Sequence, residues 1–526
     1  MKRRDLIKNL SILPIVGAVR DSSLDPNIQL NSLFSHSTTR RSIYESIGAR
    51  PLINARGTVT VIGGSRILPE VQQAMDEAVR DYVQIDELMD GVGRRLSELT
   101  GAESGCITSG ASAAITAGTA GCVTGGDPDK IWMIPNVTGM KDEVVITSYS
   151  RSAYDAAVKA VGVRLIEVKN NEELEYALGP RTAMIYLLSG SRSERGPMSL
   201  HEISEIAKPR GIPILVDAAA EGLDNPITHI IQGADLVAYS GGKYLRGPQC
   251  AGLLLGRKDL VMAARMNTGP HHGFGRGYKV GREEIMGMLA AVEMWFKRDH
   301  EAEMRLWTSW LEHISDRIAS IKGLSLSIQQ PRGRSNPSPN LSIQWDMNLI
   351  PLTGYDLEQI LWNGTPRIAV GGAGSFLPFP PNVRPSISVN SSQLEPGEEL
   401  VVADRLYEAL SKPKMKENSC LPPGSDLSGQ WDLEIQFSAS NVKQSMIFEQ
   451  SGNDLRGTHF ASIGSRDLKG TISGLKVILR SSYTIDGVRL NYEFTGLVDG
   501  DMIEGEVIMG EYGTAGWIAK RHPYKM

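Results

Sequence analysis

The chain has 526 residues and a formal net charge of −5, with 41% hydrophobic and 22% charged residues. These values are ordinary for a globular protein with several domains and a large core. Because no basic block runs along the chain, a nucleic-acid partner is not expected. The four cysteines form no Cys-x-x-Cys pair and have no accompanying histidine cluster, so we predict neither a disulfide scaffold nor a metal site.

The N-terminus is similar to a twin-arginine export signal. Adjacent arginines at 3 and 4 are followed by an apolar stretch at 10–19, which is too short to span a bilayer. A basic amphipathic helix is the alternative. We predict a signal peptide over 1–19 and a polar arm over 20–50. The protein is then periplasmic or otherwise exported, or cytoplasmic if the signal does not function.

Residues 51–318 alternate between apolar strands and amphipathic helices. Apolar runs at 144–147, 183–188 and 212–216 are separated by helical patterns such as 200–208. Continuous apolar strands between helices are typical of a mainly parallel sheet that is covered on both faces. The sequence therefore predicts an α/β domain whose ligands lie beyond the carboxyl ends of its strands.

Two charged residues follow strands of this domain. Lys243 comes after the apolar run 234–239 and a Ser-Gly-Gly turn, and Asp217 ends the run 212–217. Pyridoxal phosphate needs this pair, because a lysine forms a Schiff base with its aldehyde and an acid faces its pyridinium nitrogen. An exposed turn lysine and a capping aspartate are the alternatives.

A Ser-Gly-Ala-Ser turn at 109–112 links a short strand to a helix of small residues. The free N–H groups and the positive dipole at a helix start can bind a phosphate, and small side chains let it approach the backbone. Serine and glycine begin many helices without a ligand, so the pattern gains weight from lying upstream of Asp217 and Lys243.

The rest of the chain predicts three further parts. Residues 319–412 read as a small α+β domain, and 413–428 as a charged linker that becomes rich in proline, glycine and serine. Short alternating strands with turn signals then predict an all-β domain over 429–526, either a sandwich or an open barrel. The sequence of this domain shows no set of residues typical of a catalytic site, so a binding or assembly role is expected.

Together these motifs resemble the selenocysteine synthase-like family of fold type I pyridoxal-phosphate enzymes, which includes L-seryl-tRNA selenium transferase and D-glucosaminate-6-phosphate ammonia-lyase. The resembling stretches lie within residues 50–412, at 53–60, 101–103, 108–112, 216–220, 240–243 and 275–285. The motifs around the lysine and the aspartate are specific for fold type I.

The resemblance implies a role for each matching residue. Lys243 is the Schiff-base lysine, Asp217 pairs with the pyridinium nitrogen, and Ala219 touches the ring. Gly110, Ala111 and Ser112 would bind the cofactor phosphate together with Ser240, and Ser109 is a further cofactor-binding residue. Arg276 would lie near the site, and Arg367 and Arg384 occupy the region where related enzymes keep an arginine for the substrate carboxylate. Surface positions are the alternative for these three arginines.

The sequence departs from the family's motifs in two ways, and these bear on whether it resembles the lyase branch or the transferase branch. Ser150 replaces a histidine that the lyase branch tends to have there, so Tyr149 or Tyr154 is expected to stack on the ring instead. The tRNA-binding domain and the His-Thr-Asn-Leu-Gly-Arg run of the transferase branch are not found. With the export signal and the negative charge, this argues against selenocysteine synthesis.

We therefore predict a pyridoxal-phosphate lyase that acts by α-proton abstraction and β-elimination on a small amino acid or amino-sugar acid. The alternatives are another reaction at the same centre, namely that of a racemase, aldolase, aminotransferase or selenium-transferase-like enzyme, and a cofactor-less scaffold with a glycan- or partner-binding β-domain. By the same resemblance, a homodimer or higher homo-oligomer is expected. No membrane span is predicted.

Overall fold

The computed structural model describes residues 42–372, 383–413, 421–485 and 487–523. The chain divides into two compact units, Met1–Pro51 and Leu52–Met526. Within the first, a single 3-10 turn at Glu45–Ile47 is described. The predicted signal peptide, residues 20–41 of the predicted arm and residues 414–420 of the predicted linker lie outside the described residues.

The second unit begins with an α/β region. Its strands are β1 (Ile53–Ala55), β2 (Ser104–Thr108), β3 (Glu143–Thr147), β4 (Arg164–Val168), β5 (Thr182–Leu188), β6 (Ile214–Asp217), β7 (Leu236–Ser240) and β8 (Gly252–Gly256). Its helices are α1 (Pro69–Ala78), α2 (Ile85–Thr100), α3 (Ala111–Thr124), α4 (Pro128–Met133), α5 (Asp155–Lys159), α6 (Asn171–Ala177), α7 (Ser191–Glu194), α8 (Leu200–Ala207), α9 (Thr228–Ile231), α10 (Lys258–Met266), α11 (Arg282–Trp295) and α12 (His300–Ile318).

Strands β2 to β8 form one seven-stranded sheet in the order β2-β8-β7-β6-β5-β3-β4. Neighbours among β3 to β7 run parallel, whereas β8 is antiparallel to both β2 and β7. Residues of β6 and β8 are buried throughout, as expected for a sheet covered on both faces. The predicted α/β domain with a mainly parallel sheet is confirmed.

A small α+β domain follows. It contains β9 (Leu324–Gln329), β10 (Asn340–Trp345), β11 (Ile368–Val370), β12 (Ser386–Asn390), α13 (Gly354–Asn363) and α14 (Glu398–Ser411). An antiparallel sheet has the order β12-β10-β9, and β11 pairs in parallel with β1. The core of this domain also includes Leu311, Ile314 and Ile318 of α12. Strand β1 and helix α12, which the sequence assigns to 51–318, therefore pack with the small domain.

The last part of the chain forms an antiparallel β-barrel. Its strands are β13 (Gly429–Gln436), β14 (Asn441–Ser451), β15 (Asp454–Ala461), β16 (Gly464–Ser473), β17 (Lys476–Ile485), β18 (Val488–Asp499), β19 (Met502–Ile508) and β20 (Thr514–Arg521). Because β13 pairs with both β14 and β20, the sheet closes on itself. The predicted all-β domain is confirmed, and it is a closed barrel rather than a sandwich or an open barrel.

Two further findings concern the described residues only. No helix in them is long and apolar enough to cross a membrane. Cys106, Cys122 and Cys250 are free thiols, and burial raises the pKa of Cys106 to about 12, so this thiol stays protonated at neutral pH.

Candidate active site

The predicted functional residues meet at one edge of the seven-stranded sheet. Gly252 of β8 pairs with Thr108 at the end of β2 and with Ser240 at the end of β7. Asp217 at the end of β6 pairs with Ala238 of β7. Since paired residues on neighbouring strands lie about 5 Å apart, these strand ends stand side by side. The turn after β2, the lysine turn after β7 and the aspartate of β6 thus share one edge.

Asp217 is a buried carboxylate with two hydrogen-bond donors. The Tyr186 hydroxyl donates to its Oδ2 at 3.0 Å, and the Ala219 backbone N–H donates to its Oδ1 at 3.0 Å. Burial raises the pKa of Asp217, and both hydrogen bonds and the charge of Lys243 oppose that rise. Tyr186 is itself buried, and its pKa is raised well above its ordinary value, so its hydroxyl remains a donor.

Lys243 shares a cavity with Asp217. Burial lowers the pKa of Lys243, and the nearby charge of Asp217 opposes that shift. A lysine with a lowered pKa is more often neutral, which is the form that attacks an aldehyde or accepts a proton. This environment is that of a functional amine rather than an exposed turn lysine.

The cavity has a volume of about 400 Å³, within the usual range for a small-molecule site. It is lined by Tyr149, Tyr154, Leu188, Ser189, Gly190, Ser191, Arg192, Ser193, Asp217, Ala219, Ala220, Lys243, Arg332, Ser335 and Asn336. Three predicted residues, Asp217, Ala219 and Lys243, are among them, as are both candidate ring-stacking tyrosines. Ser150 is buried and accepts a hydrogen bond from the Thr147 hydroxyl at 2.8 Å.

The Ser-Gly-Ala-Ser turn precedes α3, which is 14 residues long. Gly110 caps it with φ of 98°, and a Cβ atom there would have no neighbour within 4 Å, so space is open above this backbone. On its other side the turn approaches β8 closely, because a Cβ on Gly252 would lie 2.3 Å from the carbonyl carbon of Gly110. The helix start is therefore an open set of N–H groups at the edge that carries Lys243.

Three features of this edge fit pyridoxal phosphate. The Lys243 amine suits its aldehyde, the Asp217 carboxylate suits its ring nitrogen, and the open helix start suits its phosphate. Ser109 follows Thr108, and Thr108 and Ser240 both pair with Gly252, so the two serines lie at the same edge of the sheet. The Ser109 hydroxyl donates to the Tyr278 carbonyl at 3.1 Å.

The three predicted substrate arginines lie apart from the cavity lining. Arg276 is exposed. It lies two residues before Tyr278, whose carbonyl accepts the hydrogen bond from Ser109 of the Ser-Gly-Ala-Ser turn. Arg367 donates from Nε to the Trp362 carbonyl at 3.0 Å and lies over the Trp362 ring. Arg384 is exposed, and its carbonyl accepts the Gly354 N–H. Their roles in substrate binding stay predictions.

A loop between β9 and β10 brings a different arginine to the site. Arg332 lines the cavity, and its guanidinium makes no ion pair with a described residue. The loop is held by Arg334, whose Nε donates to the buried Glu221 at 3.1 Å and which also pairs with Asp224. In addition, the Asn336 N–H donates to the Ala220 carbonyl at 2.9 Å. No pattern in the sequence predicts that this loop reaches the site.

The carboxylate of Glu221 is the anchor for that loop. His229 Nε2 lies 2.8 Å from its Oε2, and the Ser189 hydroxyl donates to its Oε1. Burial acts to raise the pKa of Glu221, but His229, Ser189 and Arg334 lower it overall, so the group stays ionised. The anchor is a charged network that spans the large and small domains.

The β-barrel reaches the rim of the cavity. A Cβ atom on Gly487, in the turn between β17 and β18, would lie 2.6 Å from the backbone N of Ser152. Burial, then the charges of Asp217 and of Glu511 from the barrel, raise the pKa of Tyr154, which lines the cavity. The contact joins the barrel to the turn that carries two lining tyrosines.

Comparisons with known proteins agree with this geometry. A family profile described as Cys/Met metabolism PLP-dependent enzyme matches residues 74–271. The chain is 33% identical over 299 residues to D-glucosaminate-6-phosphate ammonia lyase of Salmonella typhimurium, covering 55% of this chain and 78% of the relative. A solved structure of D-glucosaminate-6-phosphate ammonia-lyase superposes with a TM-score of 0.61 and 28% identity, covering 70% of this chain and 98% of that one.

Two other relatives have names that describe reactions other than that of an ammonia lyase. The chain is 30% identical over 305 residues to 5'-C-glycyluridine monooxygenase-decarboxylase of a Streptomyces species, covering 56% of this chain and 75% of the relative. It is 28% identical over 293 residues to L-seryl-tRNA(Sec) selenium transferase of Rhizobium meliloti, covering 48% of this chain and 58% of the relative.

Proposed function

Because this chain belongs to the selenocysteine synthase-like family of fold type I pyridoxal-phosphate enzymes, we propose that it is a lyase acting on a small amino acid or amino-sugar acid. The observation that carries the proposal is the pairing of Lys243 and Asp217 in one cavity whose rim holds an arginine without an ion-pair partner among the described residues. The predicted export and the predicted homo-oligomer stay predictions.

When bound, pyridoxal phosphate supplies an aldehyde that takes up amines and a conjugated ring that accepts the electrons released at the α-carbon. Lys243 would hold the aldehyde carbon, and Asp217 would hold the proton on the ring nitrogen. The N–H groups of 109–112, with the Ser240 hydroxyl, would bind the phosphate.

Lys243 would have a second task when the cofactor is bound. Its neutral amine would take the proton from the substrate α-carbon, and the substituent on the neighbouring carbon would leave with its bonding electrons. The lowered pKa of Lys243 supports this role, since a protonated amine has no electron pair to accept the proton. Asp217 would favour the same step, because its carboxylate would hold the proton on the ring nitrogen.

Tyr154 is our candidate for the ring contact that the family histidine would otherwise make. The hydroxyl of Tyr149 donates to the Met198 carbonyl at 3.0 Å, which fixes that ring against the cavity wall. Tyr154 lines the same cavity as Asp217, the group that would face the ring nitrogen, and burial and then the charge of Asp217 raise the pKa of Tyr154.

Moving the barrel away from Tyr154 should therefore reduce turnover. Gly487 has φ of +74° and no room for a Cβ beside Ser152, whereas Gly500, in the turn at the other end of the barrel, has φ of +57° and an open Cβ position. Alanine at either site should cost about 1 kcal/mol of unfolding free energy for the backbone strain. We expect Gly487→Ala to lower kcat/KM by about tenfold or more, equivalent to about 1.4 kcal/mol, and Gly500→Ala to leave it near wild type. Equal kinetics in the two variants would contradict a role for the barrel contact.

The substrate is expected to carry an anionic group that Arg332 binds. A hydrogen bond to a charged group contributes about 1.5–3 kcal/mol, so Arg332→Ala should raise KM by about 10–100-fold with a smaller change in kcat. The matched control is Arg195→Ala, because Arg195 is exposed, donates to the Ser191 carbonyl at 2.8 Å and does not line the cavity. An unchanged KM in the Arg332 variant would exclude this contact.

The proposal is tested with purified full-length protein. Absorbance in the visible range first reports bound cofactor. D-glucosaminate 6-phosphate is the first substrate probe, because the relative that is 33% identical is named as a lyase of this compound. The ammonia and the 2-oxo acid that are released are measured. A panel of small amino acids follows. Bound cofactor without elimination of any probe would favour the alternative below.

The alternative is another reaction at the same centre. It is supported by the relative that is 30% identical, because that protein is named a monooxygenase-decarboxylase and not an ammonia lyase. Chiral chromatography, keto-acid detection and carbon dioxide release from the same substrate panel distinguish racemisation, amino transfer and decarboxylation from elimination.

A further inference from the structure

The interior of the β-barrel has an apolar half and a polar half. The apolar half is filled by side chains such as Trp431, Phe448 and Ile503. In the other half, alternate inward positions hold Gln444, His459, Arg466, Ser481 and Tyr492 instead. Because strand side chains alternate between faces, Arg466 points inward with Leu468, which belongs to the barrel core. A polar interior is therefore built into half of the barrel.

Arg466 is the charged member of this polar half, and it is only 5% exposed. Its Nε and Nη1 have no hydrogen-bond partner, and no described carboxylate lies within ion-pair distance. Its guanidinium carbon lies 4.4 Å from the centre of the Tyr492 ring and 5.8 Å from that of Tyr483. A ring face attracts a cation but leaves its N–H donors unpaired.

The neighbouring histidine does not neutralise this charge. His459 is paired directly opposite Arg466 across β15 and β16. Its Nε2 lies 2.6 Å from Gln444 Oε1, and its Nδ1 lies 2.9 Å from Ser481 Oγ. Burial and the charge of Arg466 lower the pKa of His459 to about 3, so the ring is neutral. The described polar half thus holds one positive charge and ordered polar groups around it.

A buried cation with unpaired donors is costly, and native proteins compensate such a charge with a counter-ion or a ligand. We propose that the polar half of the barrel is a binding site for a small organic oxyanion, in which Arg466 binds the carboxylate or phosphate group and Tyr492 and Tyr483 pack against the rest of the molecule. A planar guanidinium suits both of these groups because it offers paired N–H donors.

The position of this site links it to the catalytic cavity. The polar residues lie near the end of the barrel where β15 meets β16 and β17 meets β18, the end whose Gly487 meets Ser152. The pKa of Tyr512, in the connection between β19 and β20, is raised by burial, by Glu511 and by Tyr492. Glu511 in turn acts on Tyr154 at the cavity rim. An anion bound by Arg466 would lie at the end of the barrel that contacts Ser152, in the turn that carries Tyr149 and Tyr154.

The test is calorimetric titration of the full-length holoenzyme, in which the cofactor fills the catalytic phosphate subsite. The probes are sodium phosphate and sodium acetate, each at ionic strength held constant with sodium chloride. Wild type should bind at least one probe saturably, and Arg466→Met should weaken that binding by about tenfold or more. Phosphate alone, acetate alone or both identify the preferred oxyanion. Binding of neither probe, or equal binding by Arg466→Met, would overturn the proposal.

The matched control is Arg480→Met. Arg480 lies on β17 of the same barrel, but its Nε donates to Glu493 at 2.7 Å on the outer face. This variant should bind the probes as wild type does. Without a probe, Arg466→Met should unfold at a temperature no lower than wild type, because it removes an unpaired buried charge; a purely structural arginine would give the opposite result.

Hydrogen exchange on the wild-type holoenzyme is a second test, and it does not depend on any variant. The probe should slow amide exchange in β15 to β18, the strands that carry His459, Arg466, Ser481 and Tyr492. Protection confined to residues 52–413 would place the anion in the catalytic part of the chain and would refute a site in the barrel.

Discussion

Replacing Lys243 with alanine is expected to abolish covalent attachment of pyridoxal phosphate and to lower turnover by at least about 10³-fold. The loss is large because one amine performs both tasks, holding the aldehyde and moving the α-proton. Lys243 follows β7 at the edge that carries Asp217, and its lowered pKa makes the neutral amine available. Borohydride reduction of wild type followed by peptide mapping should attach the cofactor to the peptide that contains Lys243.

The matched control is Lys258→Ala, since Lys258 is an exposed lysine at the start of α10, at the opposite end of β8 from Gly252. That variant should keep the wild-type spectrum and turnover. A reduced cofactor found on any lysine other than Lys243 would contradict the assignment, as would an unchanged visible spectrum in Lys243→Ala.

The sequence predicts the catalytic pair because its signal is local. An apolar run that ends in one charged residue, directly at Asp217 or after a Ser-Gly-Gly turn at Lys243, is typical of a strand that ends at a ligand site. The open helix start after Gly110 has the same kind of local signal. The structure brings these three features to one edge of the sheet, as the parallel strand pattern predicts.

Arg332 could not be found in this way. It lies in a loop rich in arginine, serine and proline that reads as an ordinary surface turn, 89 residues beyond Lys243. Its place at the cavity depends on Arg334 and Glu221, an ion pair between distant parts of the chain. The Tyr186 hydroxyl does have a local signal, because it is the polar group in the apolar run 183–188, but only the fold shows that it faces Asp217.

The local sequence pattern also does not predict that the barrel is closed. Alternating strands with tight turns occur in sandwiches, open barrels and closed barrels alike. The deciding contact is the pairing of β13 with β20, which joins the first strand to the last. The same closure turns Arg466 from one basic residue on an alternating strand into a buried cation.

Asp217→Asn should leave the cofactor bound but lower turnover by about 10²–10⁴-fold. Asparagine has nearly the same shape and can still accept the Ala219 N–H, so the fold around it should be preserved. A neutral amide, however, cannot hold the proton on the ring nitrogen, and the ring then accepts electrons less readily. Retained visible absorbance together with the loss in single-turnover rate is the expected result; turnover like that of wild type would exclude the assigned role.

Tyr186→Phe is the companion variant that separates the charge of Asp217 from its hydrogen bonding. The Tyr186 hydroxyl donates to Oδ2 at 3.0 Å and so favours the ionised carboxylate. Its removal leaves burial, which raises the pKa of Asp217, opposed only by Ala219 and Lys243. The pKa should therefore rise further, and the acidic limb of the kcat profile should move to higher pH, with about a tenfold loss at most on the plateau. A shift toward lower pH, or a plateau loss as large as that of Asp217→Asn, would show that the hydroxyl and not the carboxylate charge is the dominant group at the ring nitrogen.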